Sequence, residues 1–416
     1  MKEKLIKSPL APSKFPKMFS VDGVNIATVA TGMKYQGRDD LLIIDMAEGT
    51  TVAGALTKSS TSSAPVDWCR KNLKTGEARA LIVNAGNANA FTGSFGIKVV
   101  NECVTAVADK LACRPSRVFV ASTGVIGELL PYELITTFVE PALKNAQPAS
   151  PKMWKSAASA ILTTDTFAKG STALAKIGDV EVSISGIAKG SGMIAPDMAT
   201  MLAFIFTDAK IPPDILDNIV QPIVDKTFNS ITVDSDTSTS DTLLVFATGE
   251  VNGQHEILRS NDDALANFKT QLEYVMLDLA MQVVRDGEGA SKLISVEIIG
   301  AKSDNSARSL AFSIANSPLV KTAISGEDAN WGRIVMALGK SGESIEKDKL
   351  IISVGEVEIA SGGSVVEGYN EDPVAEHMKG DEISIKVDIG IGNGKFKVWT
   401  CDLSHGYIDI NADYRS

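Results

Sequence analysis

The stretch KGSGMIAPDMATMLAFIFTD, residues 189–208, constrains this chain more than any other. It passes from a basic, glycine-rich turn through Pro196 into an apolar run with the character of a buried strand, and Thr200 stands at the junction. Gly190, Gly192, Ala195 and Ala199 crowd the approach, and small residues of this kind let another group come close to the main chain. Two readings fit. In one, the segment is a loop running into a core strand. In the other, Thr200 is a nucleophile uncovered by cleavage of the Ala199–Thr200 bond. A threonine hydroxyl is a weak nucleophile unless a base lies beside it, and a free amine on the same residue supplies one. An α-amino group titrates near pH ~8, so part of it is neutral and can accept the hydroxyl proton.

The remaining chemistry-bearing residues are sparse. Only three histidines occur (His255, His377, His405), without HExxH spacing, so no metal site is expected. The four cysteines (Cys69, Cys103, Cys113, Cys401) form no CxxC pair and read as buried thiols in a reducing compartment. There is no GxSxG elbow. Gly339-Lys340-Ser341 suggests a phosphate loop, but the position that needs its first glycine is Ile334. The net charge of −11, with no basic run, argues against nucleic acid as a partner. The N-terminal segment is charged and broken by Pro9, Pro12 and Pro16, unlike a secretory signal. No apolar run approaches the ~18 residues that span a bilayer, so no membrane partner is expected and the simplest address is cytoplasmic.

A chain of 416 residues, 44% hydrophobic and 22% charged, has the balance of a globular enzyme of two or three units. Hydrophobic periodicity predicts strands over 24–31, 40–47, 51–58, 78–84, 117–124, 180–186, 201–207, 243–247 and 293–299. It predicts helices over 65–72, 96–111, 132–144, 151–162, 213–228 and 263–284. The C-terminal part, from about 290 to 416, is strand-rich. It closes with two expected strand pairs, 350–354 with 357–360 and 382–389 with 396–402, the second joined by a glycine hairpin over 390–394. Strands alternating with helices, with many short connections, predict an α/β protein with layered mixed sheets.

Several polar clusters admit a plain structural reading and a chemical one. The strand that ends at Ser122-Thr123-Gly124 presents backbone N–H groups and a hydroxyl, the equipment of an oxyanion hole, although many such triplets are simple turns. The TTDT cluster at 163–166 follows a helix end and suits a capping turn. Lys189 is the cation nearest Thr200 in sequence and suits a carboxylate ligand, while a loop lysine is ordinarily a solvated charge. The hydroxyl- and carboxylate-rich segment 229–242 lacks the terminal glutamate of a calcium loop and reads as a hydrogen-bonded structural loop. In DGEGA (286–290), Glu288 sits on a tight turn between two glycines.

KGSGMIAPDMATML resembles the signature of the ornithine acetyltransferase family, the glutamate N-acetyltransferases of arginine biosynthesis. NAGNANA (84–90), the segment 229–242, DGEGA, the run 315–334 and the tail 402–416 follow the same family in order. Ser235 stands where the family usually has Gly, and Ser240 where it usually has Asn. The resemblance implies a layered sandwich similar to, but distinct from, N-terminal-nucleophile hydrolases. It also implies self-cleavage after Ala199, giving an α chain (1–199) and a β chain (200–416) in an α2β2 assembly. By the same resemblance Thr200 is the nucleophile, Thr123 and Gly124 hold the oxyanion, and Thr163, Lys189, Glu288, Asn411 and Ser416 touch substrate. The substrates implied are N-acetylornithine and glutamate, with no cofactor. Whether acetyl-CoA also donates is left open by every local feature. An amidohydrolase or aminopeptidase with the same nucleophile, and a non-catalytic amino-acid-binding protein, are the competing readings.

Overall fold

The computed structural model describes residues 6–195 and 201–412. It divides the chain into two compact units, one of residues 12–229 and 236–283, the other of residues 1–11, 230–235 and 284–416.

The larger unit runs β1 (Val24–Val29), β2 (Leu41–Met46), β3 (Thr51–Leu56), α1 (Ala64–Asn72), β4 (Ala80–Asn87), α2 (Gly93–Leu111), β5 (Val118–Val125), α3 (Tyr132–Lys144), β6 (Gln147–Pro148) and α4 (Pro151–Ala160). It continues with β7 (Lys169–Ile177), β8 (Val180–Lys189), β9 (Leu202–Thr207), α5 (Pro213–Lys226), β10 (Thr242–Ala247) and α6 (Ala266–Arg285). Two five-stranded mixed sheets form, in the orders β5-β4-β2-β1-β6 and β3-β10-β9-β8-β7. β4–β5 and β9–β10 are parallel and the other pairs antiparallel.

The sheets face each other through one apolar core. Phe246 of β10 stacks on Phe206 of β9 at 5.1 Å and meets Phe119 of β5 edge-on at 6.1 Å, which joins the two sheets by ring contact. Strands buried on both faces explain why residues 41–44, 80–83 and 202–206 read as continuous apolar runs rather than alternating ones. Helices α1 to α3 pack on the first sheet, α5 and α6 on the second. Helix α2 buries Val99, Val100, Cys103, Val104 and Val107, the stripe that its periodicity predicts, and ends at Ala112 in the left-handed conformation. The α/β class with mixed sheets holds.

The smaller unit carries β11 (Leu293–Ala301), α7 (Asp304–Ala315), α8 (Pro318–Ser325), α9 (Trp331–Gly339), β12 (Ile351–Val354), β13 (Val357–Ser361), β14 (Ser364–Val365), α10 (Asp372–Met378), β15 (Glu382–Asp388), β16 (Gly394–Cys401) and α11 (His405–Asn411). Its six-stranded sheet has the order β14-β13-β12-β15-β11-β16. The expected pairing of 350–354 with 357–360 is present. The expected pairing of 382–389 with 396–402 is not, because β11 lies between those strands, parallel to β15 and antiparallel to β16. Two strand spacings are only about 9.6 Å, a gap that the glycine-rich connection 389–393 can bridge. Gly300 takes up that connection by accepting the Ile391 and Gly392 N–H groups at 2.9 Å each.

Candidate active site

The expected site residues of the larger unit are gathered by strand ends. β8 and β9 are antiparallel neighbours with Lys189 opposite Leu202, so the segment carrying the nucleophile expectation connects two adjacent strand ends. Thr200 and Ala199 themselves lie outside the described residues, as does Ser416.

Thr123 and Gly124 stand near the end of β5, where the pairing with β4 shifts register. Gly124 adopts φ +133°, and a Cβ there would lie 2.2 Å from the Gly86 carbonyl carbon and 2.5 Å from the Asn87 nitrogen. Only glycine fits so close an approach. The strand β4 extends through Asn87 instead of stopping before the NAGNANA loop. Asparagine side chains hold this turn: Asn84 Nδ2 donates to the Asn87 carbonyl at 2.9 Å, the Asn89 N–H to Asn87 Oδ1 at 2.8 Å, and the Ser122 hydroxyl to Asn84 Oδ1 at 2.6 Å. Such buried amides replace solvent for backbone groups that the ladder no longer pairs.

Lys189 joins these elements. Its side chain is 4% exposed, and its Nζ donates to Thr163 Oγ1 at 2.8 Å and to Thr123 Oγ1 at 3.3 Å. Thr123, Thr163 and Lys189 are therefore in direct contact. An ammonium so deeply buried is costly unless an anion accompanies it, and Asp165 supplies one with Oδ2 at 3.8 Å. Asp165 also accepts from Lys169 Nζ and from the Gly190 N–H, each at 2.6 Å to Oδ1, and from the Thr163 N–H at 3.1 Å to Oδ2. Burial opposes the charge of this carboxylate. The Lys169 and Lys189 ammonium groups, with the hydrogen bonds from Lys169 and Gly190, outweigh burial and hold the carboxyl well below the usual carboxylate range.

A second buried carboxyl borders the same strands. Asp241, just before β10, accepts the Met201 N–H at Oδ1, 3.1 Å away. Burial pushes this carboxyl well above the ordinary value, against the lowering effects of the Met201 N–H and the Lys189 charge. The loop ahead of it is hydrogen-bonded as expected, with the Thr57 hydroxyl donating to the Ser238 carbonyl at 2.7 Å and the Ser240 N–H to Ser238 Oγ at 3.0 Å. Sequence reasoning missed Asp165, Lys169 and Asp241. An aspartate within TTDT and a lysine four residues later were visible as a candidate ion pair. Asp241 offered no comparable cue.

In the smaller unit, Glu288 and Asn411 are brought together, Asn411 Nδ2 donating to Glu288 Oε2 at 2.7 Å. The short helix α11 that carries Asn411 is anchored at its start, where Ser404 Oγ accepts the Gly406 N–H at 3.1 Å and donates to the Gly289 carbonyl at 2.6 Å. The Tyr407 hydroxyl donates to Asp234 Oδ2 at 3.2 Å, a second tie on the same helix. Gly289, at φ +73°, lies so close to α11 that a Cβ would fall 2.4 Å from the Tyr407 nitrogen.

Among the described residues, no group of three or more His, Cys, Asp or Glu side chains is placed to hold a metal ion, and no helix is long and apolar enough to cross a membrane. Burial raises the thiols of Cys69 and Cys103 to about 12 and that of Cys401 to about 11, which leaves them unreactive as nucleophiles.

Comparison with known proteins gives a consistent family. The ArgJ family profile matches residues 25–416. The arginine biosynthesis bifunctional protein ArgJ of Gluconobacter oxydans is 53% identical over 416 residues, covering 100% of this chain and 97% of that protein. Its namesake in Brucella suis is 52% identical, over 98% of this chain and 99% of that protein. Among solved structures, the arginine biosynthesis bifunctional protein of Bacillus halodurans superposes with a TM-score of 0.47 at 42% identity, over 49% of this chain and 95% of that one. The ornithine acetyltransferase of Mycobacterium tuberculosis, solved with ornithine, superposes with a TM-score of 0.37 at 30% identity, over 46% of this chain and 95% of that one.

Proposed function

The chain belongs to the ArgJ family, and on that premise we propose that it moves the acetyl group of N2-acetylornithine to glutamate through an acetyl-Thr200 intermediate. It is an acyltransferase of arginine biosynthesis. The single observation that carries the finer reading is the Lys189 ammonium donating to both the Thr123 and the Thr163 hydroxyls. A hydroxyl that accepts from a cation turns its own proton elsewhere and becomes a stronger donor. That is the property required of an oxyanion-hole hydroxyl.

In the proposed sequence, the Thr200 hydroxyl first attacks the Ala199 carbonyl. The acyl group shifts from nitrogen to oxygen, and water hydrolyses the ester to release chains 1–199 and 200–416. The new amine of Thr200 then accepts the hydroxyl proton as that oxygen attacks the acetyl carbonyl of N-acetylornithine. Thr123 and the Gly124 N–H stabilise the oxyanion. The amine returns the proton to the departing ornithine, and glutamate takes the acetyl group in the reverse of the same steps. Lys189 and Thr163 receive the carboxylate end of the amino acid, Glu288 the amino group, and Asn411 and Ser416 make further substrate contacts. An α2β2 assembly and a cytoplasmic location belong to this proposal. The relatives' names carry the word bifunctional, and the second activity proposed is acetylation of glutamate by acetyl-CoA.

Intact-mass spectrometry before and after brief exposure to N-acetylornithine tests the scheme. The expected result is two chains meeting at Ala199/Thr200, the second gaining one acetyl group. A single uncut chain refutes the nucleophile. Acetate released at the same rate without glutamate as with it favours a hydrolase over a transferase.

A further inference from the structure

We propose that Asp165 is a positioning residue for Lys189: its carboxylate, saturated by Lys169, keeps the Lys189 ammonium charged and aimed at the Thr163 and Thr123 hydroxyls. The inference deepens the reading above and rests on it. Asp165 lies in the loop between α4 and β7, and the sequence marks it only as part of a polar turn. Its side chain and that of Lys169 are both fully buried.

The geometry divides the labour between the two lysines. Lys169 Nζ binds Oδ1 at 2.6 Å, donates to the Phe167 carbonyl at 3.4 Å and stands 4.7 Å from the centre of the Phe167 ring. It is held on three sides and serves the carboxylate. Lys189 stands 3.8 Å from Oδ2, a distance for attraction rather than for a hydrogen bond, so Asp165 draws the ammonium without taking one of its N–H groups. Those N–H groups go to Thr163 and Thr123 instead. Asp165 also fixes the backbone on both sides of the ammonium, through the Thr163 N–H and the Gly190 N–H. An ammonium held in place and aimed at two hydroxyls is what a carboxylate-bearing ligand requires.

Among the groups that bear on this cluster are Asp241, which feels the Lys189 charge, and Tyr35, Arg38 and Asp40, which bear on it through Asp165 and Tyr35. Removing the negative charge at Asp165 takes away an anion that favours the charged form of Lys189, and the ammonium gives up its proton more readily.

The test is steady-state kinetics with N-acetylornithine and glutamate across pH, on the full chain and on Asp165→Asn, Lys189→Met, Asp165→Asn/Lys189→Met and Asp165→Asn/Lys169→Met. Asp165→Asn is expected to raise KM for N-acetylornithine by about tenfold or more at about pH 9, recovering as pH falls to about 6, with kcat changed less. Lys189→Met is expected to raise KM without that pH dependence, and adding Asp165→Asn to it should cost nothing further. Asp165→Asn/Lys169→Met removes the competing cation and should return the pH profile towards that of the wild type. A wild-type KM and pH profile in Asp165→Asn overturns the inference, as does a full additional penalty in the Lys189→Met background. If Asp165→Asn does not fold, Asp165→Asn/Lys169→Met, which deletes the pair together, carries the test. There a KM raised by a similar factor across pH supports the inference, because the aim of the ammonium is lost while its charge is kept, and a wild-type KM overturns it. A wild-type protein inactive on N-acetylornithine sinks the proposed reaction, whereas an active wild type with an unchanged Asp165→Asn sinks only this step.

Discussion

Gly289→Ala should separate the placement of Asn411 from the chemistry at Thr200. The nearest ordinary contact for a Cβ begins at 3.4 Å, and the added atom would sit 2.4 Å from the Tyr407 nitrogen and 2.6 Å from the Gly406 carbonyl carbon. Both neighbours are backbone, so no side chain can swing aside, and the start of α11 must move by about 1 Å. Alanine at φ +73° adds ~1–2 kcal/mol of backbone strain. The shift lengthens the 2.7 Å bond from Asn411 to Glu288, and a hydrogen bond to a charged group contributes about 1.5–3 kcal/mol. If Glu288 binds substrate in that arrangement, kcat/KM for N-acetylornithine should fall roughly 10–100-fold, mostly through KM. Cleavage at Thr200, read by mass, should proceed unchanged. The same substitution in an Asn411→Ala background should then cost little more. A kcat/KM within about twofold of the wild type would refute the reasoning. So would a penalty that persists in full without Asn411.

Three further outcomes follow from the buried groups. Asp241 has its folded-state pKa raised, so its contribution to stability is complete below the unfolded carboxyl value near ~4 and is lost as pH rises towards the folded value, at about 1.4 kcal/mol per unit. Asp241→Asn should remove that slope, and equal pH dependence of denaturant midpoints in the two proteins would count against a neutral buried acid. Gly124→Ala puts a Cβ 2.2 Å from the Gly86 backbone and should cost at least ~2 kcal/mol in chemical denaturation, together with most of the acetyl transfer. The native protein should resist iodoacetamide at Cys69, Cys103 and Cys401, with half-buried Cys113 the first to react, and rapid labelling of Cys401 would contradict its burial.

Much of the architecture was legible because short-range physics dictates it. The apolar runs at 41–44 and 202–206 read as strands buried on both faces, and the stripe from Val99 to Val107 as the core-facing side of a helix. The family resemblance implied an oxyanion role for Thr123 and substrate contact for Thr163 and Lys189, and the structure places Lys189 in hydrogen-bond contact with both threonines. The hairpin expected at 390–394 was misread for a physical reason. Glycines announce that a chain turns, but they do not say whether the returning strand lies one or two places away, and β11 occupies the nearer place.

What the sequence by itself determined, then, is the periodicity of each element, the family and the roles that the family's motifs imply. These depend on residues close along the chain or on ordered motifs, and both survive without three-dimensional information. Only the tertiary structure decided which buried charged and polar groups satisfy one another. Lys189 and Asp165 are 24 residues apart, and Asp241 meets Met201 across 40. Each pair is brought together by sheet order and by burial. A charged or polar group in the interior is stable only beside its partner, so the partner's identity is a property of the packed fold and not of the local sequence.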